Sequence, residues 1–118
     1  MALSLGRVLA EPSSDADIRV AEDACGEPLG FVHLQTAIDF TGEIHAHISD
    51  LVVRSAAEGR GVGSALLREA ELWAKKRQHR LLTLNVFTDN QRARELYERM
   101  GFLSETIRLL KELRSPGA

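Results

Sequence analysis

Three glycines, Gly59, Gly61 and Gly63, stand at alternate positions in RSAAEGRGVGSALLREAE, residues 54–71. Glycine disfavours a helix interior by about 1 kcal/mol relative to alanine, so the cluster serves a loop and the entrance of a helix. Open backbone N–H groups at a helix start attract anions, phosphate above all. Two familiar phosphate loops do not fit. A G-x-x-x-x-G-K-S/T loop fails because no glycine is followed by Lys and then Ser or Thr. A G-x-G-x-x-G fingerprint fails because its last position falls on Ser64 counted from Gly59, and on Leu66 counted from Gly61. What remains, G-x-G-x-G, can turn successive amides inward as a nest for a diphosphate. The loop alone is equally compatible with a tight strand-to-helix turn that holds no ligand.

The surrounding elements must position that loop. DIRVAED (17–23) sets Ile18, Val20 and Ala21 among charged residues and reads as a strand. CGEP (25–28) is a turn, and LGFVHLQTAI (29–38) is a second strand that completes a hairpin. DFTGE (39–43) turns again into HAHISDLVVR (45–54), a third strand with β-branched residues at its end. Beyond the glycines, Val62, Ala65, Leu66, Ala70 and Trp73 share one face of a helix over 62–78, with Trp73 as core filler. RLLTLNVF (80–87) is an apolar run of strand length, expected to be buried on both faces. A second helix opens at Asn90, a good N-cap residue, carries the stripe Ala93, Leu96, Tyr97, Met100 and ends at Gly101.

The ends read less sharply. Leu3, Leu5, Val8 and Leu9 suit the last turns of a helix closed by the loop PSSD (12–15). In FLSETIRLLKEL (102–113), residues 102–107 suit a strand, and 109–113 suit a strand or a helix. The order is β-β-β-α-β-α-β: an α/β (α+β) mixed sheet, with an antiparallel meander followed by a β-α-β-α-β unit and its right-handed crossover.

A chain of 118 residues makes one domain, here a remnant or loop (1–16), a core (17–107) and a tail (108–118). Net charge is −2 and aromatic content is 5%, which argues against a nucleic-acid-binding domain and an anionic-membrane binder. No apolar run approaches the ~20 residues of a membrane span, and the start lacks a signal-peptide pattern. Cys25, the single cysteine, forms no internal disulfide and suits a reducing cytoplasm.

The second helix bears on the loop. LNVFTDNQRARELYERMGF (84–102) spaces Asn90, Ala93, Leu96, Tyr97, Gly101 and Phe102 as N-x-x-A-x-x-L-Y-x-x-x-G-F. Upstream, VVRSAAEGRGVGSALL matches the acetyl-CoA loop pattern Q/R-x-x-G-x-G/A in its glycines. With both motifs in the usual order, the chain resembles the GNAT superfamily of N-acetyltransferases over residues 17–107. The strand and helices that ordinarily precede the first hairpin are reduced or absent.

The resemblance implies acetyl-CoA as acyl donor and no metal. Two splayed parallel strands, 46–54 and 80–87, would admit the cofactor, with a bulge opening the gap. The backbone of Leu51, Val52 and Val53 would pair with pantetheine. Amides of Glu58, Gly59, Arg60, Gly61, Val62, Gly63 and Ser64 would hold the diphosphate, with Arg60 and Arg54 as further cations. Asn90 would place pantetheine, cap its helix, or both. Glu58 departs from the pattern: it stands where the family has Gln or Arg, and its carboxylate repels a diphosphate unless it turns to solvent.

The chemistry implied is attack of a free amine on a thioester. Tyr97, the one tyrosine, occupies the family's general-acid position and would protonate the departing thiolate. A backbone N–H near Val52 or Val53 would meet the oxyanion. Strand parity puts residues 47, 49, 51 and 53 on one face, which makes His47 the base, with an ordinary pKa of about 6.5. His45 shares that face, and a His-x-His metal site lacks a third ligand. Glu43 and Asp50 are lesser base candidates, and with Asp39 they form an acidic entrance for a cationic amine. The expected function is acetylation of a primary amine on a small cationic acceptor, aminoglycoside-like or polyamine-like. A protein N-terminus or lysine is the alternative acceptor, and a silent acyl-CoA-binding or assembly module the alternative class. A homodimer is expected because a bare first strand leaves an edge open to another copy.

Overall fold

The computed structural model of the chain describes residues 4–7 and 15–114. One five-stranded sheet runs in the order β1 (Ser4–Arg7), β2 (Ala16–Glu22), β3 (Pro28–Ile38), β4 (Ile44–Val53) and β5 (Leu82–Leu84). Pairing is antiparallel from β1 to β4 and parallel between β4 and β5. A 3-10 turn (Ser55–Ala57) leads into helix α1 (Val62–Lys76), and helix α2 (Gln91–Arg99) follows β5.

The hairpin turns are closed by aspartates acting on their own backbone, as short carboxylates in turns do. Asp23 Oδ1 accepts the N–H groups of Cys25 (2.8 Å) and Glu27 (3.0 Å). Asp39 Oδ1 does the same for Thr41 (2.8 Å) and Glu43 (3.0 Å). Helix α1 then lays its apolar stripe on one sheet face. Leu66, Leu67, Ala70 and Trp73 bury against Ala21 of β2, Val32 and Leu34 of β3, and Ala46 and Ile48 of β4. Each large side chain so buried contributes roughly 1.5–3 kcal/mol. The Arg77 guanidinium covers the Trp73 ring at 4.2 Å. On the other face Ile18, Val20, Phe31 and Val52 line a shallow apolar hollow.

Four expectations are corrected. Residues 4–7 form a strand, not the end of a helix, and pair with residues 19–22, so the edge of β2 is covered. Leu3, Val8 and Leu9 lie outside the described residues. The apolar run 80–87 yields only three strand residues, each half-buried, because β4 offers β5 a partner for three residues and no more. Helix α1 stops at Lys76, where Arg77 and Gln78 close its last turn, Gln78 at φ 60°. Residues 102–113 form neither strand nor helix, since no strand runs beside them. The observed order is β-β-β-β-α-β-α.

Candidate active site

The site begins with one extra residue. Along β3 and β4, His33 pairs with Asp50 and the next residue, Leu34, pairs with Ile48, so Ser49 has no partner across the ladder. A bulge of this kind bends its strand and strengthens the local twist. Immediately before it, Ala46, His47 and Ile48 pair with Leu82, Thr83 and Leu84. Beyond it β4 and β5 part, and a cleft of about 230 Å³ opens. Its walls carry Ser49, Asp50, Leu51 and Val52 from β4, Asn85 after β5, and Asn90 and Tyr97 from the start and face of α2. Among the described residues, no strand lies beside the backbone of 51–53 on the side away from β3, as at an edge that can take an extended ligand.

The bulge also reverses side-chain parity. Ala46 and Ile48 point into the core before it, and Leu51 and Val53 pack on that core after it. Residue 47 is therefore on the opposite face from residues 51 and 53, and the uninterrupted alternation expected for 47–53 does not hold. His47 is not among the residues that line the cleft. Its Nδ1 lies 2.7 Å from Thr83 Oγ1, and desolvation by burial, then the neighbouring His45, lowers its pKa from the ordinary imidazole value. His45 is buried, with Nδ1 3.3 Å from the Glu43 carbonyl oxygen.

The acidic entrance is largely self-neutralised. Both Glu43 carboxylate oxygens take Arg80 Nη2, at 2.7 and 2.8 Å. Asp39 is occupied by its turn, and the Thr41 hydroxyl bond first of all lowers its pKa. Of these acidic residues Asp50 lines the cleft, and one of its carboxylate oxygens lies 3.5 Å from His33 Nδ1.

Tyr97 stands half-buried on the cleft wall, its ring edge-on to Phe102 at 5.9 Å between centroids. Burial raises its pKa, so the phenol keeps its proton at neutral pH. Asn90 both lines the cleft and caps α2, its Oδ1 accepting the Ala93 N–H at 3.2 Å.

The glycine loop fits an anion. The first bond internal to α1 runs from Ala65 N–H to the Gly61 carbonyl at 3.0 Å. Among the described residues no backbone carbonyl takes the N–H groups of Gly59, Gly61, Val62, Gly63 or Ser64. Gly59 and Gly61 adopt φ of 81° and 79°, and open space surrounds both α-carbons. Only glycine enters that conformation without strain. Gly63 is fixed for another reason: a Cβ there would lie 3.0 Å from Leu96 Cδ2, so its bareness lets α2 close on α1. Glu58 turns away from this row of amides to Arg92 of α2, Oε2 to Nη1 2.9 Å. Arg54 lies 3.6 Å from Glu27.

Ser49, Asn85, His33 and Arg92 were not singled out from the sequence. Ser49 and His33 depend on the bulge, which no residue type announces. Asn85 ends an apolar run, and an amide at that point was the available signal. Arg92 could be sought only by asking what answers the unusual Glu58. Among the described residues no three His, Cys, Asp or Glu side chains gather at one point, and no helix is long and apolar enough to cross a membrane.

The family model described as the acetyltransferase (GNAT) family matches residues 7–102. The chain belongs to the GNAT acetyltransferase family. It is 37% identical over 86 residues to an uncharacterised N-acetyltransferase of Methanocaldococcus jannaschii, covering 70% of this chain and 37% of that protein. It is 33% identical over 90 residues to the uncharacterised N-acetyltransferase YhfO of Bacillus subtilis, covering 75% of this chain and 60% of that one. A solved structure of a candidate acetyl transferase from Pyrococcus furiosus superposes with a TM-score of 0.78 at 35% identity, over 84% of this chain and 66% of that one. The fold extends to AAC(6')-Iy in complex with a bisubstrate analog, CoA-S-monomethyl-acetylneamine, at TM-score 0.80 and 11% identity, over 98% of this chain and 100% of that one.

Proposed function

We propose that the protein is an acetyl-CoA-dependent N-acetyltransferase whose acceptor is a primary amine on a small cationic molecule. The observation that carries the reading is the parting of β4 and β5 after three paired residues, with Tyr97 and Asn90 on the resulting wall. Acetyl-CoA supplies an activated acetyl thioester. The amides of Gly59–Ser64 would take its diphosphate, with the positive end of α1 behind them worth about 0.3–1 kcal/mol. The free backbone edge at Leu51, Val52 and Val53 would hold the pantetheine arm, and an N–H there would meet the oxygen that gains charge.

Within this reading the residues divide the proton work. Asp50 attracts the ammonium form of the acceptor into the cleft, and an amine must shed a proton before it attacks. Asp50 in contact with His33 offers the nearer route for that proton; His47, held by Thr83 and outside the cleft lining, would act through water. Tyr97, kept protonated by burial, donates to the thiolate as the C–S bond breaks. The cationic acceptor is favoured by Asp50 and by the fold shared with an enzyme complexed to a CoA–neamine analog. The exposed thiol of Cys25 suits the reducing cytoplasm.

The test is release of free CoA thiol over a panel of amines: polyamines, aminoglycosides, lysine peptides and peptide N-termini. Faster release with the small polycations is expected. Calorimetric binding of acetyl-CoA with no amine-stimulated release would favour the silent binding module, and no binding at all would defeat both.

A further inference from the structure

The sheet has two faces, and helix α1 takes one of them. On the other face cross-strand partners line up in rows, because side chains alternate along a strand and paired residues share a face. Val20 pairs with Phe31 and Phe31 with Val52. In the next row Ile18 pairs with His33 and His33 with Asp50. Ile18, Val20, Phe31 and Val52 line the apolar hollow, a space of about 510 Å³ whose lining holds no helix residue. Ile18, Val20 and Phe31 are half-buried, and Val52 is 47% exposed. A concave apolar surface with few charged groups at its margin is the general form of a small-molecule subsite.

Two observations bear on what fills it. Val52 lines both the hollow and the cleft between β4 and β5, so the two meet at that residue. Along β4 the same face then carries Asp50, Val52 and Arg54 in turn, each about 7 Å from the next by the rise of a strand. Asp50 lines the cleft, and Arg54 ends the hollow beside Glu27, at 3.6 Å. A molecule whose ammonium rests at Asp50 therefore reaches the hollow within about 7 Å, the length of a short linker. A second ammonium laid over Val52 and Phe31 would lose water and find no carboxylate in the lining. An uncharged alkyl or aryl group at the same place gains from burial.

We infer that the acceptor is an amphipathic amine, with its reacting amine at Asp50 and an uncharged apolar arm in the hollow against Val20, Phe31 and Val52. This rests on the acetyl-transfer reading and narrows its acceptor. Val20 and Phe31 touch no reacting atom. They select the arm, an interaction equal in ground and transition states, so they act on KM and not on kcat.

Diaminopropane and its N-benzyl derivative present the same primary amine without and with an arm. Thiol release at saturating acetyl-CoA should give a KM about tenfold lower for the N-benzyl compound, with kcat within about twofold. Val20→Thr, close in shape but bearing a hydroxyl, and Phe31→Ala should each erase most of that preference. Both should leave acetyl-CoA affinity and the KM of diaminopropane unchanged, and Val20→Thr carries the test if Phe31→Ala unfolds. Equal KM values for the two amines overturn the inference while the acetyl-transfer reading stands. So does a preference that survives both variants. A lower KM for hexanoyl-CoA than for acetyl-CoA, lost in the variants, would put the donor's acyl chain in the hollow instead. A dimer seen by light scattering that the variants take apart would put a second copy there. Release with no amine defeats the acetyl-transfer reading. The methyl resonances of Ile18 and Val20 then decide separately: shifts with the N-benzyl compound and none with diaminopropane keep the subsite, and still resonances remove it.

Discussion

Glu58 at the head of the glycine loop and Arg92 in the first turn of α2 form an ion pair, 2.9 Å between Oε2 and Nη1. The one carboxylate that the loop places beside its open amides is thereby answered by a cation from the neighbouring helix. Both side chains are substantially exposed, so the pair adds little to stability, a fraction of a kcal/mol in the usual case. Its effect falls on the anion that the loop would receive. Arg92→Ala is expected to weaken acetyl-CoA binding by about two- to fivefold, and most of that loss should vanish when Glu58→Gln is made as well. Calorimetry on the four variants of the cycle measures it. An equal loss in both backgrounds would mean that Arg92 acts independently of Glu58.

The two loop glycines should respond differently. Gly61→Ala meets no neighbour but places a side chain at φ 79°, a strain of about 1–3 kcal/mol. Gly63→Val drives a side chain into Leu96 and separates α2 from α1, opening the wall that carries Tyr97 and Asn90. Both should reduce acetyl-CoA affinity more than they reduce the free energy of unfolding, read by calorimetry and by urea titration. Unchanged affinity in either would contradict the loop's role.

Tyr97→Phe tests the acid. Loss of the phenol should lower kcat by about 10²-fold with little change in acetyl-CoA affinity, and remove the alkaline limb of the pH–rate profile. The raised pKa carries a stability consequence of fixed sign. The folded state keeps this proton when the unfolded chain has lost it, so the stabilisation is whole below pH 10 and lost as pH rises through the higher folded value. Tyr97→Phe should therefore flatten the alkaline fall in stability, followed by thermal melts.

His47 carries the opposite sign. Its pKa is lowered, so the unfolded chain binds the proton more readily than the folded one. The stabilisation is present above pH 6.5 and lost as pH falls through the lower folded value. His47→Gln should flatten the acid side of the stability profile. A change in the acid limb of kcat as well would make His47 a participant in proton removal, and an unchanged limb would leave that work to Asp50. Asp50→Asn should raise KM for a polycationic acceptor while leaving acetyl-CoA affinity intact, a split read from steady-state kinetics.

Much of this was legible in the residues. The hairpin strands, α1 and α2 follow from alternation, the glycines and the Asn90 cap, because each is specified by neighbours within a few positions. The family followed from two motifs: the fold sets Asn90 and Tyr97 of the second on the cleft wall and packs the glycine loop of the first against α2, with Glu58 on Arg92 and Gly63 beside Leu96. What escaped was non-local. Ser49 looks like any residue of a strand until β3 supplies its register, and with the bulge goes the side to which His47 belongs. The run 80–87 has the composition of a long buried strand, but β4 turns away after Ile48 and leaves only Leu82–Leu84 paired. The acidic residues 39–50 look alike in sequence, yet a turn claims Asp39 and Arg80 claims Glu43. Residues 102–113 were ambiguous for a physical reason: a strand needs a neighbour, and this chain places none beside them.

The place where acetyl-CoA settles decides whether the glycine loop and the β4 edge form its site. Backbone amide shifts followed by nuclear magnetic resonance during a titration answer this in one experiment. Saturable shifts are expected at Gly59–Ser64, at Leu51–Val53 and at Asn85, with residues 16–20 of β2 unmoved. Binding that shifts β2 and leaves the glycine loop and the β4 edge still would contradict it.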